Sequence, residues 1–375
     1  MNKTLPAESI FNITSSEVED PLFAYNSSTM YCRYYDCRRK EISDPFQSII
    51  FHKSTVFCAR RPNAKYIAVS LTLDEIPDYS VPIVPRIGSK WSNCFKTEML
   101  FFQIHLTTSL FAWHLFMGAT FFHIYLRNVT DYDRMMLDEY VKTGDIEIIK
   151  MHDHFWRADY MWHEVQINDC HHRSKYFSKW TALIDIDERL EIRNEQFKTV
   201  VDYLDSIHNA SVANLHFRVK WVMKHNNTPA RYENDAQLTD EMLFCKFRNT
   251  SRLGELWDQP KCIIRPENVA IMTIHGPLAM YKGETITLVN INIGFIRHYR
   301  SVEQRVFPGA LDRMMSHAPF NILPIEQWVE QNLTKNILSR VKLVYDIVDV
   351  SCEEKIKMYS IENVTAPCSI GKQDL

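Results

Sequence analysis

From about residue 90 onwards the apolar positions switch repeatedly between helical spacing and strand-like alternation or continuous runs. Phe101 to Met117 reads as a helix ending near Gly118, because Gln103, His105, Thr107, Thr108, Ser109 and His114 interrupt it too often for a membrane span. Thr120 to Leu126, rich in aromatic and branched residues, predicts a buried strand. Asp131 to Lys142 places Met135, Met136, Leu137 and Val141 near helical spacing with Gly144 beyond, and Asp145 to Met151 then alternates as a strand. A helix over Tyr160 to Phe177 leads into the apolar run Trp180 to Ile186, which ends in acidic residues. Further strands are expected over Ala213 to Trp221, Cys262 to Arg265, Val269 to His275 and Val289 to Ile296, and a C-terminal helix over Ile325 to Tyr345. Helix and strand in alternation predict an α/β architecture, a central mixed and mostly parallel sheet flanked by helices, with ligands at the carboxyl ends of its strands.

The pattern is weaker before this. Residues 1–65 show little sustained periodicity and predict a stem or loosely structured region; the strand expected over Tyr66 to Leu73 opens a catalytic unit spanning 66–375, interrupted by Pro77, Pro82 and Pro85.

Charge and composition narrow the chemistry. A net charge of -3 offers no basic field for nucleic acid. The chain has only 9 glycines, and none builds a phosphate-cradling glycine loop, so a bound diphosphate needs another counter-charge. N-x-S/T sequons open at Asn2, Asn12, Asn26, Asn128, Asn209, Asn226, Asn249, Asn332 and Asn363, which points to a lumenal or secreted chain. The 9 cysteines lack the C-x-x-C spacing of zinc sites, and disulfides in an oxidising compartment are the better reading. Met1 to Asp20 is polar, so membrane association is expected through an anchor outside this chain.

The most informative stretch is Leu183-Ile184-Asp185-Ile186-Asp187-Glu188. A strand delivers two carboxylates at spacing i, i+2, and alternate residues point the same way, so both can face one ligand. Hard oxygen ligands suit Mn²⁺ or Mg²⁺, whose shell donor phosphates and water complete. On its own the alternative is a solvated acidic turn after a strand.

Around it stand Gln166-Ile167-Asn168-Asp169-Cys170, Arg173 and Lys179-Trp180-Thr181-Ala182, with Leu115-Phe116-Met117-Gly118-Ala119-Thr120, Ile124-Tyr125 and Glu139-Tyr140 upstream and Arg265-Pro266, Ile274-His275 and His298-Tyr299-Arg300 downstream. This ordered set resembles the signature of glycosyltransferase family 92 over roughly residues 90 to 300. The resemblance implies a GT-A type fold and a metal-dependent, inverting transfer of a hexose, above all galactose from UDP-galactose, onto a glycan acceptor in the Golgi lumen. It further implies Asp185 and Asp187 as the metal and diphosphate motif, with Asp187 the direct metal ligand and Asp185 towards ribose or metal, and His298 completing the metal or phosphate shell, His275 competing for that place. Arg300 would neutralise the leaving diphosphate. Glu188 matches the family's third acidic position. Asn168, Asp169 and Arg173 either contact the nucleotide or, for the last two, form an i, i+4 ion pair.

Several points stay open in the sequence. Asp235, Asp240 and Glu241 are candidates for the general base, with nothing in their spacing to choose among them, and Trp221 and Trp257 either stack on acceptor sugars or pack internally. His163-Glu164 begins like a zinc-protease helix, but Ile167 stands where the second histidine belongs, and no G-x-S-x-G elbow exists. The alternative from another class is a non-catalytic, lectin-like protein on the same fold.

Overall fold

A computed structural model describes residues 29–51, 55–56, 58–59, 61–77, 80–82, 89–96, 111–126, 129–151, 159–175, 177–225, 229, 231–302 and 309–347. It is a mixed α/β structure with helices set between and around several sheets.

The first sheet lies in the N-terminal region. β1 (Thr29–Tyr35) pairs antiparallel with both β2 (Phe46–Phe51) and β4 (Tyr66–Ser70), while β3 (Thr55–Val56) and β5 (Val81–Pro82) add short edges. Residues 29–51 and 55–56 are strand-rich, and β1 and β2, before residue 65, share one sheet with β4, after it. Met30, Cys32 and Tyr34 alternate as the buried face of β1, Cys32 is disulfide-bonded to Cys58, and Arg33 forks onto Glu41, which together hold these short strands.

The main sheet has seven strands in the order β17-β11-β14-β9-β6-β7-β8. β6 (Ser89–Lys96), β7 (Phe121–Leu126), β8 (Ile146–Lys150) and β9 (Ser178–Asp185) run parallel; β14 (Lys261–Ile264) pairs antiparallel with β9 and with β11 (Val212–Phe217), and β17 (Thr285–Leu288) runs parallel to β11. The helix Asp131–Lys142 forms as expected: Thr130 caps it by accepting from the Asp133 amide, and Gly144, at φ 77°, supplies the left-handed turn that lets the chain enter β8. The helix Asp159–Ser174 packs on β6, β9 and β15 (Val269–Thr273). β15 forms a hairpin with β16 (Gly276–Met280). Of the helix expected over 101–117, residues 111–116 are helical and 101–110 lie outside the described residues.

A second five-stranded sheet has the order β10-β18-β12-β13-β19, formed by β10 (Glu188–Ile192), β12 (Val219–Lys224), β13 (Asn249–Leu253), β18 (Gly294–Ser301) and β19 (Phe320–Ile322). The single strand expected over 213–221 is in fact two, because the chain leaves the seven-stranded sheet at Arg218, whose guanidinium donates to the Gly254 carbonyl. The strand expected over 289–296 begins later, at Gly294: Asn290 accepts from the Asn292 amide through its side chain and from Ile293 through its carbonyl, which closes a turn across the alternating residues. The C-terminal helix runs Gln327–Lys342, burying Val329, Leu333, Ile337 and Val341 on one stripe.

Candidate active site

The segment Asp185-Ile186-Asp187-Glu188 is the seam between the seven-stranded sheet and the second five-stranded sheet. Asp185 ends β9 in one, Glu188 begins β10 in the other, and Asp187 lies in the two-residue turn between them. β9 is buried from Trp180 to Ile184, so its apolar run anchors the strand and leaves the carboxylates at its open end. The Asp185 and Asp187 side chains are 24% and 19% exposed, while Glu188 is wholly buried.

Glu188 ties the turn together. One of its oxygens accepts from the Asp185 amide at 2.8 Å; the other lies 3.3 Å from the Lys261 ammonium and 3.2 Å from His298 Nδ1. Lys261 enters from the first residue of β14, only 2% exposed, and donates to Asp185 Oδ2 at 2.8 Å. His163, from the 159–174 helix, faces the other Asp185 oxygen at 3.4 Å, and His298 Nε2 faces Asp187 at 3.3 Å. The His298 ring is stacked on Trp221, with centroids 4.5 Å apart.

The protonation pattern follows from burial set against neighbours. Burial pushes the Glu188 carboxyl up to about 6, against the pull of Lys261. Burial works the same way on Asp187, but His298 and Arg300 outweigh it and hold that carboxyl below its ordinary range. Burial disfavours the charged forms of His298 and Lys261; Asp187 and Glu188 reverse this for the histidine, and Asp185 and Glu188 for the lysine, so both are raised. His275 follows burial, pushed down to about 4 with Lys261 adding to the effect, and its Nδ1 faces the Pro260 carbonyl at 3.3 Å.

The structure thus brings Asp185, Asp187, Glu188 and His298 together, with Arg300 two residues along β18 and close enough to act on Asp187 electrostatically. Asn168, Asp169 and Arg173 lie along the 159–174 helix in another setting. The Asn168 amide clamps the backbone, donating to the Glu164 and Met272 carbonyls. Asp169 accepts from Tyr125 and from Arg173, whose guanidinium also reaches Glu147. Tyr125 aligns with Lys96, and Lys96 with Asp185, so this polar chain sits at the same level of the sheet two strands from the acidic turn. Sequence reasoning missed Lys261 and the part His163 plays. A lysine opening the apolar run Cys262-Ile263-Ile264 was the available signal, since a buried ammonium requires a carboxylate partner.

Among the described residues no three His, Cys, Asp or Glu side chains converge in ready-made metal-ligand geometry. The donor set nevertheless fits a hard divalent cation of the kind held by one or two carboxylates and by substrate phosphates, because Asp185 and Asp187 are partly exposed carboxylates close enough to act on one another electrostatically.

The chain belongs to glycosyltransferase family 92, whose sequence profile matches residues 94–333. No curated protein gives a significant match over the sequence. Among solved structures, S. aureus TarS is similar at 12% identity and a TM-score of 0.31, over 71% of this chain and 47% of TarS, so the chain spans about half of that protein's length. TarS residues 1–349 in complex with UDP-GlcNAc are similar at 11% identity and a TM-score of 0.32, over 72% of this chain and 78% of that one.

Proposed function

We propose that this glycosyltransferase is a metal-dependent, inverting hexosyltransferase of GT-A type that moves galactose from UDP-galactose to a glycan acceptor. The observation that carries the reading is the pair Asp185 and Asp187, partly exposed at the carboxyl end of a buried strand and braced from behind by Glu188, Lys261 and His298. The neighbouring antiparallel strand β14, beside four parallel ones, supports the GT-A assignment.

Mn²⁺ or Mg²⁺ held by Asp187 and Asp185 would supply charge neutralisation for a departing nucleoside diphosphate. The chain's own residues do the rest: Lys261 and Glu188 fix Asp185, His298 orients Asp187, and Arg300 adds positive charge for the leaving group. Asn209, Asn249 and Asn332, the sequon asparagines among the described residues, are all exposed, which together with the Cys32–Cys58 disulfide supports a Golgi-lumenal site of action and membrane association through an anchor.

The test is UDP release from a panel of UDP-sugars with and without Mn²⁺, for the native chain and for Asp187→Ala. UDP-galactose is expected to be turned over fastest and only with metal. Equal rates for the two proteins would remove the catalytic role of Asp187, and no UDP release above background by the native chain would leave a lectin-like binding role in place of catalysis.

A further inference from the structure

The loop 254–260 joins β13 to β14 and delivers Lys261 to Asp185. Because β14 runs antiparallel to β9, with Cys262 opposite Leu183, the residues just before Lys261 emerge at the same end of the sheet as the acidic turn. Two side chains of this loop take no part in the bracing described above. Trp257 is 66% exposed, yet its ring is not loose: it meets the His216 imidazole edge-on at 4.7 Å, and His216 is itself fixed by a 2.8 Å contact to the Leu256 carbonyl. Backbone bonds from Asp258 to Glu255 and from Gln259 to Trp257 tighten the turn. A large aromatic face held rigidly towards solvent lacks the burial that explains most tryptophans, and its apolar surface matches the C–H face of a pyranose ring.

Asp258 follows directly. Its Oδ2 is lodged beside Gly254, where an added Cβ would come within 3.1 Å of it, and 3.4 Å from His317 Nδ1, without forming a hydrogen bond. The same His317 ring lies 5.3 Å from Trp221, whose own ring is stacked on His298. A continuous file therefore runs Asp187, His298, Trp221, His317, Asp258, connecting the acidic turn to the tryptophan loop.

We propose that this loop is the acceptor-sugar subsite, with Trp257 the stacking platform and Asp258 the base. The assignment rests on the glycosyltransferase reading of the acidic turn. In the step, the acceptor hydroxyl oxygen forms a bond to the donor's anomeric carbon, the bond from that carbon to the diphosphate oxygen breaks, and the hydroxyl proton passes to the Asp258 carboxylate while UDP leaves with the electron pair. Buried contact on one side of the carboxylate leaves its side chain 23% exposed for that exchange. Asp235 and Glu241 are engaged elsewhere, the first with Lys342 and Tyr232 and the second with Lys246.

The test uses the whole chain and methyl β-glycosides of galactose, fucose, mannose and N-acetylglucosamine. Saturation-transfer NMR with each glycoside is expected to light up the ring protons of at least one in the native protein and to lose that signal in Trp257→Ala, with Trp257→Phe restoring part of it. In transfer assays Trp257→Ala should raise the acceptor KM at least about ten-fold while the Kd for UDP shifts less than two-fold; Asp258→Asn should lower kcat about 10²-fold or more at similar acceptor KM. Thermal melting of each variant shows whether it is folded. Loss of no glycoside signal in Trp257→Ala, binding of none by the native chain, or undiminished kcat in Asp258→Asn overturns the proposal. Absence of UDP binding by the native chain overturns instead the reading on which it rests.

Discussion

Strands β10 and β18 carry two buried charge clusters, one on Glu188 and His298 and one on Glu191 and Arg297, and they are built to different plans. At Glu191, Arg297 is closed in: its guanidinium meets both oxygens of the glutamate and donates to the Leu323 and Pro324 carbonyls, while Arg193 binds Glu191 and Pro324 from the side. At Glu188, by contrast, the contacts are longer: its Oε1 stands 3.2 Å from His298 Nδ1 and 3.3 Å from the Lys261 ammonium, and His298 Nε2 stands 3.3 Å from Asp187. Burying a charge is tolerable when every partner is supplied, and costly otherwise. The first cluster is complete and holds the 323–324 segment against the sheet. The second is joined by longer contacts and lies beside two partly exposed aspartates, a clustering of perturbed charged groups that marks a candidate site.

The comparison makes separable predictions. Asp187→Ala at the open cluster is expected to lower UDP release by about 10²–10³-fold or more while melting close to the native protein, since removal of a preorganised electrostatic group has effects of that order. Arg297→Ala at the closed cluster should do the reverse, with stability falling by about 3–5 kcal/mol by denaturant titration and turnover per folded molecule nearly unchanged. If Arg297→Ala instead lost activity at native stability, the division between the clusters would be mistaken. Lys261→Met should show both effects, about ten-fold in turnover together with a clear loss of stability, because Asp185 can turn to water but the wholly buried Glu188 is left without its ammonium; the readouts are steady-state UDP release and melting.

The smallest expected effect concerns pH. His171, His172 and His275 are held to about 3, about 4 and about 4, in each case chiefly by burial. Their folded pKa values lie below the unfolded value, so the unfolded chain takes up protons that the folded chain refuses. The stability they contribute is complete above about pH 6.5 and is lost as the pH falls towards 4. Melting temperature should therefore drop between pH 7.5 and 5, and His171→Gln should flatten that drop. A flat profile in the native protein would show that these rings stay neutral in neither state.

Half of this contrast was legible in the residues alone. The run ending in Asp185 and Asp187 declared itself because an unbroken apolar strand that stops on alternating carboxylates is a local pattern, and Asp131 to Lys142 was legible from its spacing and its glycine stop. Lys261 was not, because its partner lies 76 residues away and only the antiparallel pairing of β14 with β9 brings them together. The closed cluster was invisible for the same reason, with Glu191 and Arg297 separated by 106 residues. The strands of residues 29–51 were not legible because their pairing with Tyr66–Ser70 and the bond from Cys32 to Cys58 join segments that only the fold brings together.

The acidic turn has one mechanical property that follows from its place at the join of two sheets. Asp185 is moored to the seven-stranded sheet by the lysine of β14, while Asp187 leans on a histidine of β18 in the five-stranded one. Sliding of one sheet past the other would therefore alter the gap between the two aspartates directly, so their spacing is tied to how the two sheets sit on one another.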